Sequence, residues 1–188
     1  MAYTAKDYEK ALHIYKQLKD KAASMERRQL AKTGMLRSAH MLGNEEEIIF
    51  TATDLLADTK LAPELSNEAH YYRAKAYLDA GKTDGAMEDL KILAKDTRNV
   101  YGAEAKYKVA QIYFDGGQTD KAEQEVLNYI EVSTPHTYWL ARSFVLLADV
   151  YMKLGRNLDA KQYLLSLKQN YQADDDIAGM IESRLEKL

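Results

Sequence analysis

Four histidines, no cysteine and one Gly81-Lys82-Thr83 tripeptide are the groups from which chemistry would have to be built. A phosphate-binding loop needs a glycine five residues before its Gly-Lys-Thr ending and a strand leading into it, because successive backbone N–H groups cradle the phosphate. Ala76 stands at that position inside a helical pattern, so Gly81-Lys82-Thr83 is expected to be a turn. His13, His40, His70 and His136 form no i, i+4 pair and have no thiolate partners, which leaves no metal-ligand set. Asp174-Asp175-Asp176 lacks the alternating spacing and the glycine of a calcium loop and is expected to cap a helix. No Gly-x-Ser-x-Gly element supplies a nucleophile. The expectation is a chain with no catalytic residue, no metal and no cofactor.

Composition narrows the partners. With 26 basic and 29 acidic residues the net charge is −3, which lacks the positive field that a phosphate backbone demands. Nucleic acid is therefore not an expected partner, and a repeat class that reads RNA base by base is disfavoured on the same ground. No apolar run reaches the ~20 residues that cross a bilayer, so direct membrane insertion is not expected. Met1 to Ser24 carries charges throughout and does not read as a signal peptide. The absence of cysteine fits a reducing cytosol and a bacterial periplasm equally.

The elements that would position any site come from an internal repeat. Around Gly155 the chain places Ala148 and Tyr151 before it and Ala160, Leu164 and Leu167 after it. At the same offsets Gly117 has Ala110, Tyr113, Ala122, Val126 and Tyr129, and Gly81 has Ala74, Tyr77, Ala86, Leu90 and Leu93. Gly43 keeps a weaker copy in Leu36, Ala39, Ile48, Ala52 and Leu55, and Ala11, Tyr15 and Leu18 keep the second half alone, with Lys6 in the glycine position. From Lys6 through Gly43, Gly81 and Gly117 to Gly155 the steps are 37, 38, 36 and 38 residues. A fixed period of this size marks stacked helix hairpins whose units pack on their neighbours.

Within each strong copy the two alanines lie on opposite arms, where small side chains let antiparallel helices approach at a crossing angle of about 20°. The glycine ends the first helix, where the missing β-carbon permits a tight reversal. The expected organisation is a half repeat over 4–23, repeats over 24–60, 64–97, 100–133 and 135–171, and a terminal capping helix over 174–188, about ten helices in all. Thr4 with Asp7 reads as a capping box, with Tyr3 and Tyr8 as its hydrophobic staple. Thr134-Pro135 reads as a cap followed by proline at the first helical position. Opening on a second helix, the chain is expected to be a piece of a longer array.

Tyr and Ala before a Gly, and Ala after it, at a helical-hairpin period, resemble the tetratricopeptide repeat (TPR) over nearly the whole chain, from Lys6 to Tyr171. The units are two to four residues longer than that family's usual 34. Lys32, His70, Lys106 and Phe144 stand where the family favours a large aromatic. The longer units and the phrasing from Thr134 to Tyr151 resemble long bacterial cell-envelope TPR proteins, which would imply the periplasm or cell envelope. The resemblance implies an all-α, right-handed superhelical solenoid of antiparallel helix hairpins. It also implies a non-catalytic scaffold that holds a peptide or helix of a partner protein in a concave groove lined by the first helices.

On that implied groove, helical phase leaves Thr33, Arg37 and His40 facing out from one unit, Tyr71 and Lys75 from the next, then Tyr107, Gln111 and Phe114, then Asp149 and Met152. The candidate partner contacts are Arg37, Tyr71, Lys75, Tyr107, Gln111 and Asp149, since rings mixed with hydrogen-bonding groups supply contact area at low entropic cost. The competing expectation is that Tyr71, Tyr107 and Phe114 pack on the adjacent repeat. Relatives that hold a C-terminal carboxylate use Lys, Arg and Asn along successive first helices. Only Arg37 and Lys75 match that set, so tail binding of that kind is disfavoured. The alternative role is a spacer or a segment that joins copies of itself, as in a homodimer.

Overall fold

Each turn between paired helices is set by a glycine with positive φ, the conformation that a β-carbon penalises. Gly43, Gly81, Gly117 and Gly155 adopt φ of 64°, 70°, 74° and 73° in the computed structural model, which describes residues 2–188. At the last three, the residue after the glycine donates its N–H back to the tyrosine of the motif: Lys82 to Tyr77 O, Gln118 to Tyr113 O and Arg156 to Tyr151 O. Gly81-Lys82-Thr83 is thereby the expected turn.

The chain is all-α, with ten helices and no strand among the described residues. It divides into two compact units, residues 1–92 and 93–188. Unit 1 holds α1 (Tyr8–Asp20), α2 (Met25–Leu42), α3 (Glu45–Leu56), α4 (Pro63–Asp79) and all but the last residue of α5 (Thr83–Leu93). Unit 2 holds α6 (Val100–Asp115), α7 (Thr119–Ile130), α8 (Thr137–Lys153), α9 (Asn157–Asn170) and α10 (Ile177–Leu185).

Helix starts follow local hydrogen bonding. Ser24, Asn44 and Asn99 accept the N–H of Arg27, Glu47 and Gly102, satisfying donors that have no intrahelical partner. Two expected starts are displaced. Asp7, not Thr4, caps α1 by accepting from the Lys10 N–H, although the Tyr3 and Tyr8 rings do meet edge to face at 5.4 Å. Thr134 does not cap α8, because its hydroxyl donates to Thr97 O and accepts from the His136 N–H, and the helix begins at Thr137.

In unit 1 a core of Leu36, Ala39, Ile48, Ala52, Leu55, Ala69 and Ala76 joins α2, α3 and α4. In unit 2 the alanines of both hairpins, Ala110 with Ala122 and Ala148 with Ala160, are buried in one cluster. That cluster also takes Ile177 and Ile181, the apolar stripe of α10. The small side chains thus do what their spacing implied: they set the depth at which larger neighbours such as Val126, Leu147 and Leu164 interlock.

Candidate functional site

The first helices α2 and α4 of unit 1 carry one polar and aromatic face. Arg37 closes a bidentate fork on the buried Glu68, Nε to Oε1 and Nη2 to Oε2, both at 2.7 Å. One turn on, His40 stacks on Tyr72 with ring centroids 4.1 Å apart and planes 22° from parallel. Burial pushes the His40 imidazolium below its usual range, and the Lys75 ammonium pushes the same way against the weaker pull of Glu68 and Asp79. Tyr71 meets Tyr72 at 5.8 Å, and the exposed Lys75 places its ammonium 5.5 Å from the Tyr71 ring centre. This unit therefore brings Tyr71 and Lys75 together, with Arg37 on the neighbouring helix held to α4 by its carboxylate.

Unit 2 arranges its candidates differently. Tyr107 is only 6% exposed, since the Trp139 ring of α8 lies 5.6 Å away and the Arg142 guanidinium 5.1 Å above it. Its hydroxyl donates to Gln111 Oε1 at 2.7 Å, and the Gln111 amide donates in turn to Asp115. The outward-facing Tyr107 expected from helical phase is thus a packing residue between α6 and α8, the competing expectation for that side chain. Asp149 stands apart from this pair and accepts a bidentate fork from Arg184 of α10, both bonds 2.7 Å. Thr33 also departs from expectation: it is buried and donates its hydroxyl to Gln29 O one turn back. Phe114 is half-buried under the Lys153 ammonium at 4.8 Å.

A recurrent polar position inside the hairpins went unread in the sequence. His70 meets Asp89, Lys106 meets Glu125 and Phe144 meets Tyr163, each pair nineteen residues apart and each joining a first helix to its own second helix. Lys32, in the same position of α2, reaches instead to Asp54 and Asp58. These are the places where the family pattern wants a large aromatic. Asp89 is 1% exposed and takes bonds from Arg73 Nε and Nη2 as well as from the His70 ring. Burial would push its carboxyl up, but these hydrogen bonds prevail and hold it below its usual range. Burial likewise works against the Lys32 ammonium, and the bonds to Asp58 and Asp54 outweigh it. The constant separation of nineteen between the paired positions was the signal available in the sequence.

Among the described residues no group of three or more His, Cys, Asp or Glu side chains is placed to hold a metal ion. Asp175 and Asp176 are engaged locally: Asp175 accepts from the Tyr171 hydroxyl and the Ile177 N–H, and Asp176 accepts from Arg142. No helix among the described residues is long and apolar enough to cross a membrane.

Two family models described as tetratricopeptide repeat match the sequence, over residues 68–96 and 141–169. No match to the chain was found among curated proteins. Of the solved structures, a crystal structure of MamA aligns with a TM-score of 0.68 and 18% identity over 99% of this chain and 93% of that one. A second crystal structure of MamA gives 0.67 and 18% over 89% and 85%. A kinesin light chain of Podosopora anserina with nearly identical TPR-like repeats gives 0.62 and 18% over 89% of each chain. Identities this low show a shared fold and carry no information about partners.

Proposed function

The chain belongs to the tetratricopeptide repeat family, and we propose that it is a non-catalytic scaffold which takes a peptide or helix of a partner protein on its first helices. The observation that carries this reading is the unit 1 face. Lys75 stands exposed over the Tyr71 ring, beside the Tyr72 and His40 stack. Rings with a cation at their edge suit a partner segment that offers one carboxylate and one apolar side chain. Arg37 contributes less charge than the sequence implied, because Glu68 already neutralises it.

In unit 2 the candidate contacts reduce to Gln111, since Tyr107 is packed against Trp139 and Arg142 and Asp149 is occupied by Arg184. A second reading is supported by the same bonds. Arg37 to Glu68 in unit 1, and Arg142 to Tyr107 and Arg184 to Asp149 in unit 2, each tie two helices of their own unit together, which suits a stiff spacer.

The test is affinity capture on the immobilised chain, compared with a variant carrying Tyr71→Ala and Lys75→Glu. Tyr107 is left intact, since its removal would open the unit 2 core. Partners that the parent retains and the variant loses support the face. Equal recovery of every partner by both proteins removes it and leaves the spacer reading.

A further inference from the structure

The charges on the unit 1 face cancel at neutral pH. Arg37 is closed onto the buried Glu68 by its bidentate fork, which takes one positive and one negative charge out of the sum together. On α4 the exposed Lys75 and Asp79, one turn apart, add one charge of each sign. His40 therefore decides the balance: with its ring neutral the face sums to zero, and with a proton on the ring it carries one net positive charge. The charged groups of α4 that act on this ring are Lys75, which opposes the proton, and Glu68 and Asp79, which favour it. Arg37, three residues earlier on the same helix, is already neutralised.

A proton on His40 charges the face without dismantling it. The ring lies on Tyr72 with centroids 4.1 Å apart and planes 22° from parallel, and an imidazolium keeps that position because a cation is attracted to the face of an aromatic ring. What resists the proton is partial burial and the Lys75 ammonium. A carboxylate seated beside Lys75 relieves that resistance, since it pairs with the ammonium and lends the imidazolium an opposite charge.

We propose that the unit 1 face is an acid-strengthened receptor for an acidic peptide segment of a partner protein, whose carboxylate sits between Lys75 and His40 and whose apolar neighbour covers the Tyr71 ring. Given the scaffold reading of the Tyr71 and Lys75 face, on which this rests, linkage fixes the direction. The occupant favours the protonated ring, so the ring holds its proton to higher pH in the complex than in the free chain. Affinity is constant well above the bound value, rises as pH falls through it, and levels off below the free value, which lies under 6.5. It weakens again only near about pH 4, where the carboxyl of the occupant takes a proton. A basic segment is excluded, because it would meet Lys75 at every pH and His40 as well in acid. One added unit charge about 6 Å from a carboxylate strengthens binding about threefold even at the dielectric of water.

The probe is hydrocinnamate, one carboxylate joined to one benzene ring, titrated into the full chain in low salt at about pH 7.5 and about pH 5 and followed by NMR amide shifts. Saturable binding is expected at both, about threefold or more tighter in acid. Saturating probe is also expected to move the titration midpoint of the His40 ring protons to higher pH. His40→Gln is expected to bind as the parent does at the higher pH and to gain nothing in acid. His40→Phe keeps a ring on Tyr72, so the comparison survives if the Gln variant loosens α2, and circular dichroism at both pH values establishes that each variant is folded. Lys75→Glu is expected to lose binding throughout. Parent binding that does not tighten in acid, or tightening that persists in both His40 variants, overturns the proposal and leaves the Tyr71 and Lys75 face standing. No saturable binding by the parent at either pH, or full binding by Lys75→Glu, removes the face itself and the acid response with it.

Discussion

Arg73 and Asp89 form a bidentate pair inside unit 1, Nε to Oδ2 at 2.8 Å and Nη2 to Oδ1 at 2.7 Å, and Asp89 also meets His70, which stands where the family favours a ring. Arg73 also donates to the Thr53 hydroxyl, so this one guanidinium links α3, α4 and α5. Removing the acid leaves a guanidinium with little water to replace it. Asp89→Asn is expected to cost about 3–5 kcal/mol in urea unfolding. Replacing the set together, His70→Phe with Arg73→Leu and Asp89→Leu, is expected to recover most of that loss, since apolar groups of matching volume often equal a buried ion pair. A combined variant as unstable as Asp89→Asn would show that the polar set does more than fill space.

The same carboxyl makes stability depend on acid. Its folded pKa is depressed, so its contribution is fully present above its ordinary value of 3.8 and is lost as pH falls through the lower folded value. Urea midpoints of the parent are expected to drop below that pH, and those of the combined apolar variant to drop less.

His40 gives a second pH response in a different window. Burial and Lys75 depress its pKa below 6.5, so neutral His40 supports the fold above that pH and the support is lost as pH falls through the folded value. Lys75→Ala removes one of the two depressing causes. In an NMR titration the His40 ring protons of that variant are expected to titrate at higher pH than in the parent. An unmoved midpoint would mean that Lys75 does not approach the ring.

Gly102 tests the packing of unit 2. A β-carbon on it would stand 2.0 Å from Asp96 O and 2.7 Å from Leu93 O, both backbone atoms that no rotamer change can clear. Gly102→Ala is expected to cost about 1–3 kcal/mol or more by forcing the start of α6 away from the loop before it. Gly117→Ala has open space around its β-carbon, yet φ is +74° there, and the expected cost is about 1 kcal/mol from backbone strain alone. Thermal unfolding of the two variants separates the steric effect from the conformational one.

Why the fold was readable and the site less so follows from what each residue type reports. Ala110, Ala122 and Gly117 act through size and backbone freedom, properties written in the residue itself, and their repetition named the hairpins. Tyr107 acts through its neighbours. Helical phase put it on the open face, but whether it stays open depends on Trp139 and Arg142 on another helix, thirty-two and thirty-five residues away. Arg37 and Asp149 were legible as charged groups on first helices, but helical phase within one helix does not show their partners Glu68 and Arg184, 31 and 35 residues further on. The His70 and Asp89 pair was hidden for a different reason: a single polar residue in place of the expected aromatic does not name the acid on the next helix that it meets.

Arg184 and Asp149 decide how firmly the last helix is held. α10 has two fully buried side chains, Ile177 and Ile181, and the Arg184 fork is its bidentate polar tie to α8. Both partners are about a quarter exposed, so the pair is worth more than a surface ion pair and less than the Arg73 and Asp89 pair. Arg184→Ala is expected to lower global stability by about 1 kcal/mol and to act mainly by local opening. Hydrogen exchange should show faster exchange in residues 177–185 with little change in α6 and α7. Ile181→Ala, which removes core volume shared with α8 and α9, should instead cost about 2–5 kcal/mol and raise exchange across unit 2. Uniform faster exchange in both variants would mean that α10 and the two hairpins open as one cooperative body.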